Sequence, residues 1–239
     1  MPQPFTEWKV LPHGKLTAVD EDILTVTGGI PMPIAEMKRR MTVVKLRDGR
    51  LVIFSAIALD EDEMHSLEDF GEPAFLIVPS AHHRLDAKIW KDRYPEIQVI
   101  TPAGAREKVE KIVHVDNTQG DFGDPNVTLV DVSGTGKREA ALEITRASGM
   151  TLVLNDVVGN MRNVSGFGGW FLRMMGFAGD EPHVPLPVKL SMVSDKAALA
   201  AQLRHWADLR DLKRIIVSHG SEIDDKPRKV LWDLAASLN

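Results

Sequence analysis

The sequence contains no cysteine, which excludes disulfide bonds, thiolate zinc sites, iron–sulfur clusters and a thiol nucleophile. It also lacks any apolar run near the roughly 20 residues that a membrane-spanning helix needs. Residues 1–8 show no basic segment followed by an apolar core, so no signal peptide is expected. We therefore expect a cytoplasmic protein without a membrane span.

Basic residues are not in excess. The chain has 29 lysines and arginines against 34 aspartates and glutamates, and its formal net charge is -5. This balance argues against a nucleic-acid partner, because nucleic-acid surfaces are usually basic. The length of 239 residues fits one large α/β domain or two small ones.

Alternating apolar runs and turn signals predict a mixed α/β chain. Two β-rich runs, 41–46 and 51–55, flank an Asp-Gly step, which is typical of a hairpin. A β-α-β-α succession follows, and the second half begins again with short strands. Because no low-complexity linker separates the halves, we expect a single domain, 1–239, made of two similar halves, about 1–120 and 121–239.

Three segments place histidine or aspartate just after a run that is typical of a buried strand. They are residues 79–86, which read PSAHHRLD, Asn155-Asp156, and Ser218-His219-Gly220. Metal ligands often lie at such strand ends, because the loops there bring distant parts of the chain together. The three segments predict the remains of a metal site.

This order of elements resembles the metallo-β-lactamase fold over nearly the whole chain. The resemblance rests on the opening hairpin, the segment 80–86, the strand that ends at Asp156, and His219 near the end. The segment 79–83, followed by Trp90, is similar to an uncharacterised branch of that superfamily with eroded metal motifs. The resemblance implies a four-layer αβ/βα sandwich with its metals along one edge, between the halves.

The family's main metal loop reads His-x-His-x-Asp-His, and two registers fit this chain. In the first, Ser80 and His82 take the first two positions. In the second, His82, Arg84 and Asp86 take the first three. His82 and His83 are adjacent, so at most one of them can point inward.

The family's bridging aspartate corresponds to Asp156 and its last histidine to His219. The aspartate that often ends the earlier strand is absent, and Ser55 stands there; no histidine occurs near Gly134. The resemblance therefore implies four metal-ligand candidates, His82, Asp86, Asp156 and His219, with Ser80, His83 and Arg84 in the pocket. These suffice for one divalent ion, which would be zinc, iron or manganese, and not for two.

Arg84 argues against a bound metal, because a permanent cation a few ångströms from a divalent ion is strongly repelled. In a metal-free site its guanidinium could pair with Asp86 or Asp156; the alternative is a side chain in solvent. Asp86 has an alternative role as the N-cap of the helix predicted after it. Asp156 and His219 could equally be turn residues.

Residues 159–187 are rich in glycine, phenylalanine, methionine and tryptophan, with little regular period. An exposed apolar stretch of this kind usually marks a contact surface. We expect the segment to cap the site beyond Asp156 or to form a homodimer contact. The alternative is a long loop folded onto its own core.

Two functions of different classes fit these observations. The first is a hydrolase-like enzyme with one ion held by His82, Asp156 and His219, which cleaves an ester, amide, thioester or phosphoester. The second is a non-catalytic module that has lost the metals and binds a small molecule or a protein. The sequence predicts a metallo-β-lactamase-like protein of unknown substrate with a degenerate, at most mononuclear metal site.

Overall fold

A computed structural model describes residues 3–30, 37–162 and 166–238. They form two compact units: unit 1 extends to residue 125, and unit 2 begins at residue 126. Each unit contains one β-sheet and several helices, so the described chain is a mixed α+β protein. The expectation of a single domain stays a prediction.

Unit 1 is built on a six-stranded sheet whose strands lie in chain order. The strands are β1 (Thr17–Asp20), β2 (Ile23–Ile30), β3 (Met37–Lys45), β4 (Arg50–Phe54), β5 (Glu72–Ile77) and β6 (Gln98–Ile100). The first four pair antiparallel, whereas β4, β5 and β6 pair in parallel. The helices are α1 (Glu61–Phe70), α2 (Ala87–Arg93) and α3 (Arg106–Glu110).

Local sequence explains most of unit 1. The predicted hairpin joins β3 to β4, and Gly49 has a φ of +88°, which glycine adopts at little cost. Helix α1 begins after Asp60, whose carboxylate accepts the amide of Glu63 at 3.0 Å and caps the helix. The apolar residues of β4 are buried without alternation, as expected for a strand within a sheet that is covered on both faces.

Unit 2 contains a four-stranded sheet in the order β10-β9-β8-β7. Its strands are β7 (Val127–Asp131), β8 (Ala140–Arg146), β9 (Gly149–Leu154) and β10 (Leu212–Val217). Strands β7, β8 and β9 form an antiparallel meander, and β10 adds to β9 in parallel. The helices are α4 (Gly166–Met174), α5 (Leu186–Ser191), α6 (Lys196–Asp208) and α7 (Pro227–Ala236).

Helix α6 buries residues at helical spacing and has a side-chain cap. Leu199, Leu203 and Trp206 are fully buried, and the Asp195 carboxylate accepts the amide of Ala198 at 2.9 Å. The indole Nε1 of Trp206 donates to Glu143 at 2.7 Å. These contacts pack the helix on the sheet of unit 2.

The interpretation of residues 159–187 as a loop is wrong in part, because α4 and the start of α5 lie there. Glycine lowers intrinsic helix propensity by about 1 kcal/mol per residue, so the glycine-rich composition did not predict helix α4. Burial of Leu172 on one side of α4 compensates. Among the described residues, no helix is both long enough and apolar enough to cross a bilayer.

Candidate metal centre

Asp156 and His219 lie side by side at the ends of two neighbouring strands of unit 2. Strands β9 and β10 run in parallel with Leu154 opposite Val217, and the amide of Ser218 extends the ladder by donating to Leu154 O at 3.1 Å. Each candidate follows its strand by two residues, so both side chains emerge at the same edge. Oδ1 of Asp156 is 3.4 Å from Nε2 of His219. The predicted convergence of these two residues is therefore confirmed.

The loop after β9 fixes the backbone on both sides of Gly220, the residue after His219. The amide of Asn160 donates to His219 O at 3.0 Å, and the amide of Ser221 donates to Asn160 O at 3.1 Å. The side-chain amide of Asn160 also donates to Ser221 O at 2.8 Å. Gly220 lies between with a φ of +107°, and a Cβ there would be 2.1 Å from Asn160 O. Only glycine fits this close approach.

Glu139 is a second acidic group near this pair, and it is fully buried. Its Oε1 accepts the amide of Val157 at 2.8 Å, whereas its buried Oε2 has no hydrogen-bond partner among the described residues. Burial raises the pKa of the Glu139 carboxyl well above its usual value, and the negative charge of Asp156 raises it further. Glu139 thus anchors the loop that carries Asp156.

No sequence pattern marks Glu139 as a functional residue. It stands alone before the apolar start of β8, and nothing in the local pattern separates it from a solvent-exposed residue at a strand end. Near Gly134, where the resemblance implied a further histidine, Thr135 is buried and its hydroxyl donates to Val132 O at 2.7 Å. That residue closes the turn between β7 and β8.

In unit 1, the turn after β4 contacts the second of the two adjacent histidines. Ser55 is buried and has a φ of +59°, an uncommon left-handed conformation for serine. Its Oγ lies 2.7 Å from Nδ1 of His83, which is half-buried, whereas His82 is exposed. The packing of unit 1 therefore orients His83, which the sequence placed in the pocket, rather than the predicted ligand His82.

Asp86 is engaged inside unit 1. It is 1% exposed, forms an ion pair with Arg39, which is also buried, and accepts the amide of Ala58 at 3.0 Å. Arg39 Nη1 in turn donates to Ala56 O at 3.2 Å. Asp86 stands at the N-cap position of α2, as the alternative expected, but its side chain makes no capping hydrogen bond to the first turn of that helix. Its role as a metal ligand stays a prediction, which these contacts disfavour.

The predicted pairing of Arg84 with Asp86 is also wrong, because Arg39 takes that place. The Arg84 guanidinium donates to Lys108 O within unit 1. Ser80 is buried, and its Oγ accepts the amide of His82 at 3.2 Å, which tightens the loop. The sequence could not reveal Arg39, because it lies on a distant strand in a run of similar basic residues.

Comparison with known structures identifies the fold. No protein-family model matches the sequence, and no curated protein matches it. The metallo-β-lactamase DIM-1 is 14% identical, with a TM-score of 0.64 over 97% of this chain and 100% of that one. FIM-1 from Pseudomonas aeruginosa, in its mono-zinc form, is 12% identical, with a TM-score of 0.63 over 96% of this chain and 97% of that one.

A metallo-β-lactamase from Erythrobacter litoralis gives a similar result. It is 14% identical, with a TM-score of 0.63 over 93% of this chain and 96% of that chain. The chain therefore has the metallo-β-lactamase fold, as the order of its elements predicted. At such low identity the likeness establishes the fold alone.

The donor set in unit 2 suits a divalent cation. An imidazole nitrogen and a carboxylate oxygen are common ligands of zinc, iron and manganese. A second carboxyl group, that of Glu139, is buried close to Asp156 with one oxygen lacking a hydrogen-bond partner among the described residues. A cation at Asp156 and His219 would offset this concentration of acidic groups. Asp156 and His219 therefore fit a metal and would supply two of the three protein ligands that a catalytic site usually has.

Proposed function

We propose that the protein binds one divalent metal ion through Asp156 and His219 and is a hydrolase-like enzyme of unknown substrate. The observation that carries this proposal is the 3.4 Å separation of the two ligand atoms at the ends of paired parallel strands. Their side chains are only 10% and 13% exposed. Because this carboxylate and this imidazole lie together and are mostly shielded from solvent, they form a suitable binding place for a divalent metal ion.

We further propose that the loop 80–86 also carries a metal ligand, and that this ligand is His83. The contacts inside unit 1 support that choice, because Ser55 orients the ring of His83 and Arg39 engages Asp86. A single ion also agrees with the mono-zinc form in which FIM-1, a protein of this fold, has been described.

A divalent ion bound there would supply Lewis acidity toward an ester, amide, thioester or phosphoester. The residues of the chain hold and shape the site. Asp156 and His219 provide the ligand atoms, Asn160 fixes the backbone around His219, and Glu139 fixes the amide of Val157 beside Asp156.

Elemental analysis of protein purified without chelator tests the proposal. We expect one equivalent of zinc, iron or manganese in the wild type, and its loss in His219→Ala and in Asp156→Ala. His205→Ala is the matched control, because His205 is an exposed histidine of α6 in the same unit. A wild type free of metal, or metal retained in both ligand variants, would refute the proposal.

A second candidate is a non-catalytic binding module without metal, with the Arg39–Asp86 pair as the remnant of a lost ligand.

In unit 2, five exposed apolar side chains lie on α4, α5 and the residue after α4: Trp170, Met174, Met175, Leu186 and Leu190. We propose this apolar patch as a homodimer contact. In sedimentation equilibrium, Leu190→Glu should convert a dimer to a monomer, and a monomeric wild type would refute the contact.

We also propose a cytoplasmic location. A chain without cysteine suits a reducing compartment, although it does not require one. Fractionation of cells that express the natural protein tests this, and recovery outside the cytoplasmic fraction would contradict it.

A further inference from the structure

We infer that Ser55 is a positioning residue that fixes the ring of His83 for metal binding, an inference that rests on the proposed function. The two residues belong to unit 1, and Ser55 Oγ lies 2.7 Å from Nδ1 of His83. Both lie at the end of the parallel part of the sheet, Ser55 directly after β4 and His83 in the loop after β5. The contact joins two loops that are distant in sequence.

The backbone of Ser55 supports a dedicated role. Its φ of +59° is in the left-handed region, which costs free energy for a residue other than glycine and persists only where the surroundings impose it. The amide of Ser55 donates to Ile77 O at 3.0 Å, and the next residues are held by Arg39 and Asp86. These contacts hold the turn in a conformation that directs Oγ at the imidazole.

The contact also determines which nitrogen can bind a metal. With Nδ1 engaged by Ser55, a metal can bind His83 only through Nε2. A metal-binding histidine usually donates its other N–H to a nearby acceptor, and this bond fixes the tautomer of the ring. Ser55 Oγ therefore accepts Nδ1–H, so that the lone pair resides on Nε2. The hydroxyl of Ser55 therefore orients the ring of His83, because no carboxylate stands at this position.

Two substitutions separate positioning from structural support. Ser55→Ala removes the hydroxyl and keeps the strained backbone, whereas Ser55→Gly removes the hydroxyl and relieves the strain. Thr101→Val is the matched control, because the buried hydroxyl of Thr101 donates to Val78 O at 2.7 Å elsewhere in unit 1. Each protein is measured for thermal midpoint, for zinc affinity by calorimetry, and for the tautomer of His83 by nitrogen NMR of the metal-free chain.

We expect His83 of the metal-free wild type to carry its proton on Nδ1, and both Ser55 variants to lose this preference. Zinc affinity should fall by about 10- to 100-fold in both, although Ser55→Gly should melt higher than Ser55→Ala. Thr101→Val should melt lower than the wild type with unchanged zinc affinity. An affinity that follows the thermal midpoint, or a tautomer that both variants keep, would overturn the inference.

The tautomer measurement also separates this inference from the proposed function. A wild type that binds no zinc but keeps the proton of His83 on Nδ1 refutes the metal site, and the orienting contact survives that result. A wild type that binds zinc while His83 carries its proton on Nε2 refutes the role of Ser55, and the metal site survives. The two failures therefore give different results.

Discussion

Replacing Arg39 by methionine should strongly destabilise the protein. Arg39 is 4% exposed and Asp86 1% exposed, so the substitution leaves a buried carboxylate that still accepts the amide of Ala58 but has lost its cationic partner. Removing one partner of a buried ion pair costs about 3–5 kcal/mol. The lost hydrogen bond to Ala56 O adds about 1 kcal/mol. We expect the free energy of unfolding to fall by about 4–6 kcal/mol.

Urea unfolding followed by circular dichroism measures this change. Lys88→Met is the control, because Lys88 pairs with Asp92 on an exposed helix surface at 2.6 Å and its loss should cost less than about 1 kcal/mol. The double substitution Arg39→Met with Asp86→Leu should recover most of the stability, because it removes both buried charges. An Arg39→Met protein as stable as the Lys88 control, and able to bind additional zinc, would show that Asp86 is a metal ligand.

Two further predictions concern unit 2. Gly220→Ala should lower the free energy of unfolding in urea by about 2 kcal/mol or more and weaken zinc binding, because the new Cβ would clash with Asn160 O. Gly49→Ala is the control: Gly49 has a φ of +88°, but a Cβ there would meet open space. This substitution should lower the free energy of unfolding less and leave zinc binding unchanged. Because the pKa of Glu139 is raised, its carboxyl group keeps its proton to a higher pH in the folded state than in the unfolded state. The contribution of Glu139 to the free energy of unfolding in chelator should therefore be highest below the ordinary pKa of 4.5 and fall as the pH rises above it. Glu139→Gln should remove this decline, and an unchanged slope would contradict the assignment.

Asp156 and His219 could be predicted because each follows a continuous apolar run. Such runs indicate buried parallel strands, and parallel neighbours end at the same edge of a sheet. The in-register pairing of β9 and β10 then brings residues at equal distances past the strands together. The capping residues Asp60 and Asp195 were predictable for a similar local reason.

The loop 80–86 was harder to interpret, because its roles depend on tertiary partners. Adjacent histidines face different ways, and only the contact with Ser55 shows that His83 is the one held against the turn. The partner of Asp86 comes from β3, where Arg39 stands among other basic residues. Helix α4 was not predicted, because glycine has a low helix propensity and the helix is stabilised by tertiary packing instead.

Anomalous diffraction at the zinc absorption edge, from crystals grown with zinc, tests the metal site most directly. We expect one anomalous peak within about 2.0–2.2 Å of both His219 Nε2 and a carboxylate oxygen of Asp156. The same peak should be absent from His219→Ala crystals grown in parallel. A wild-type crystal with no peak at this pair of residues would contradict the proposal that they bind a metal.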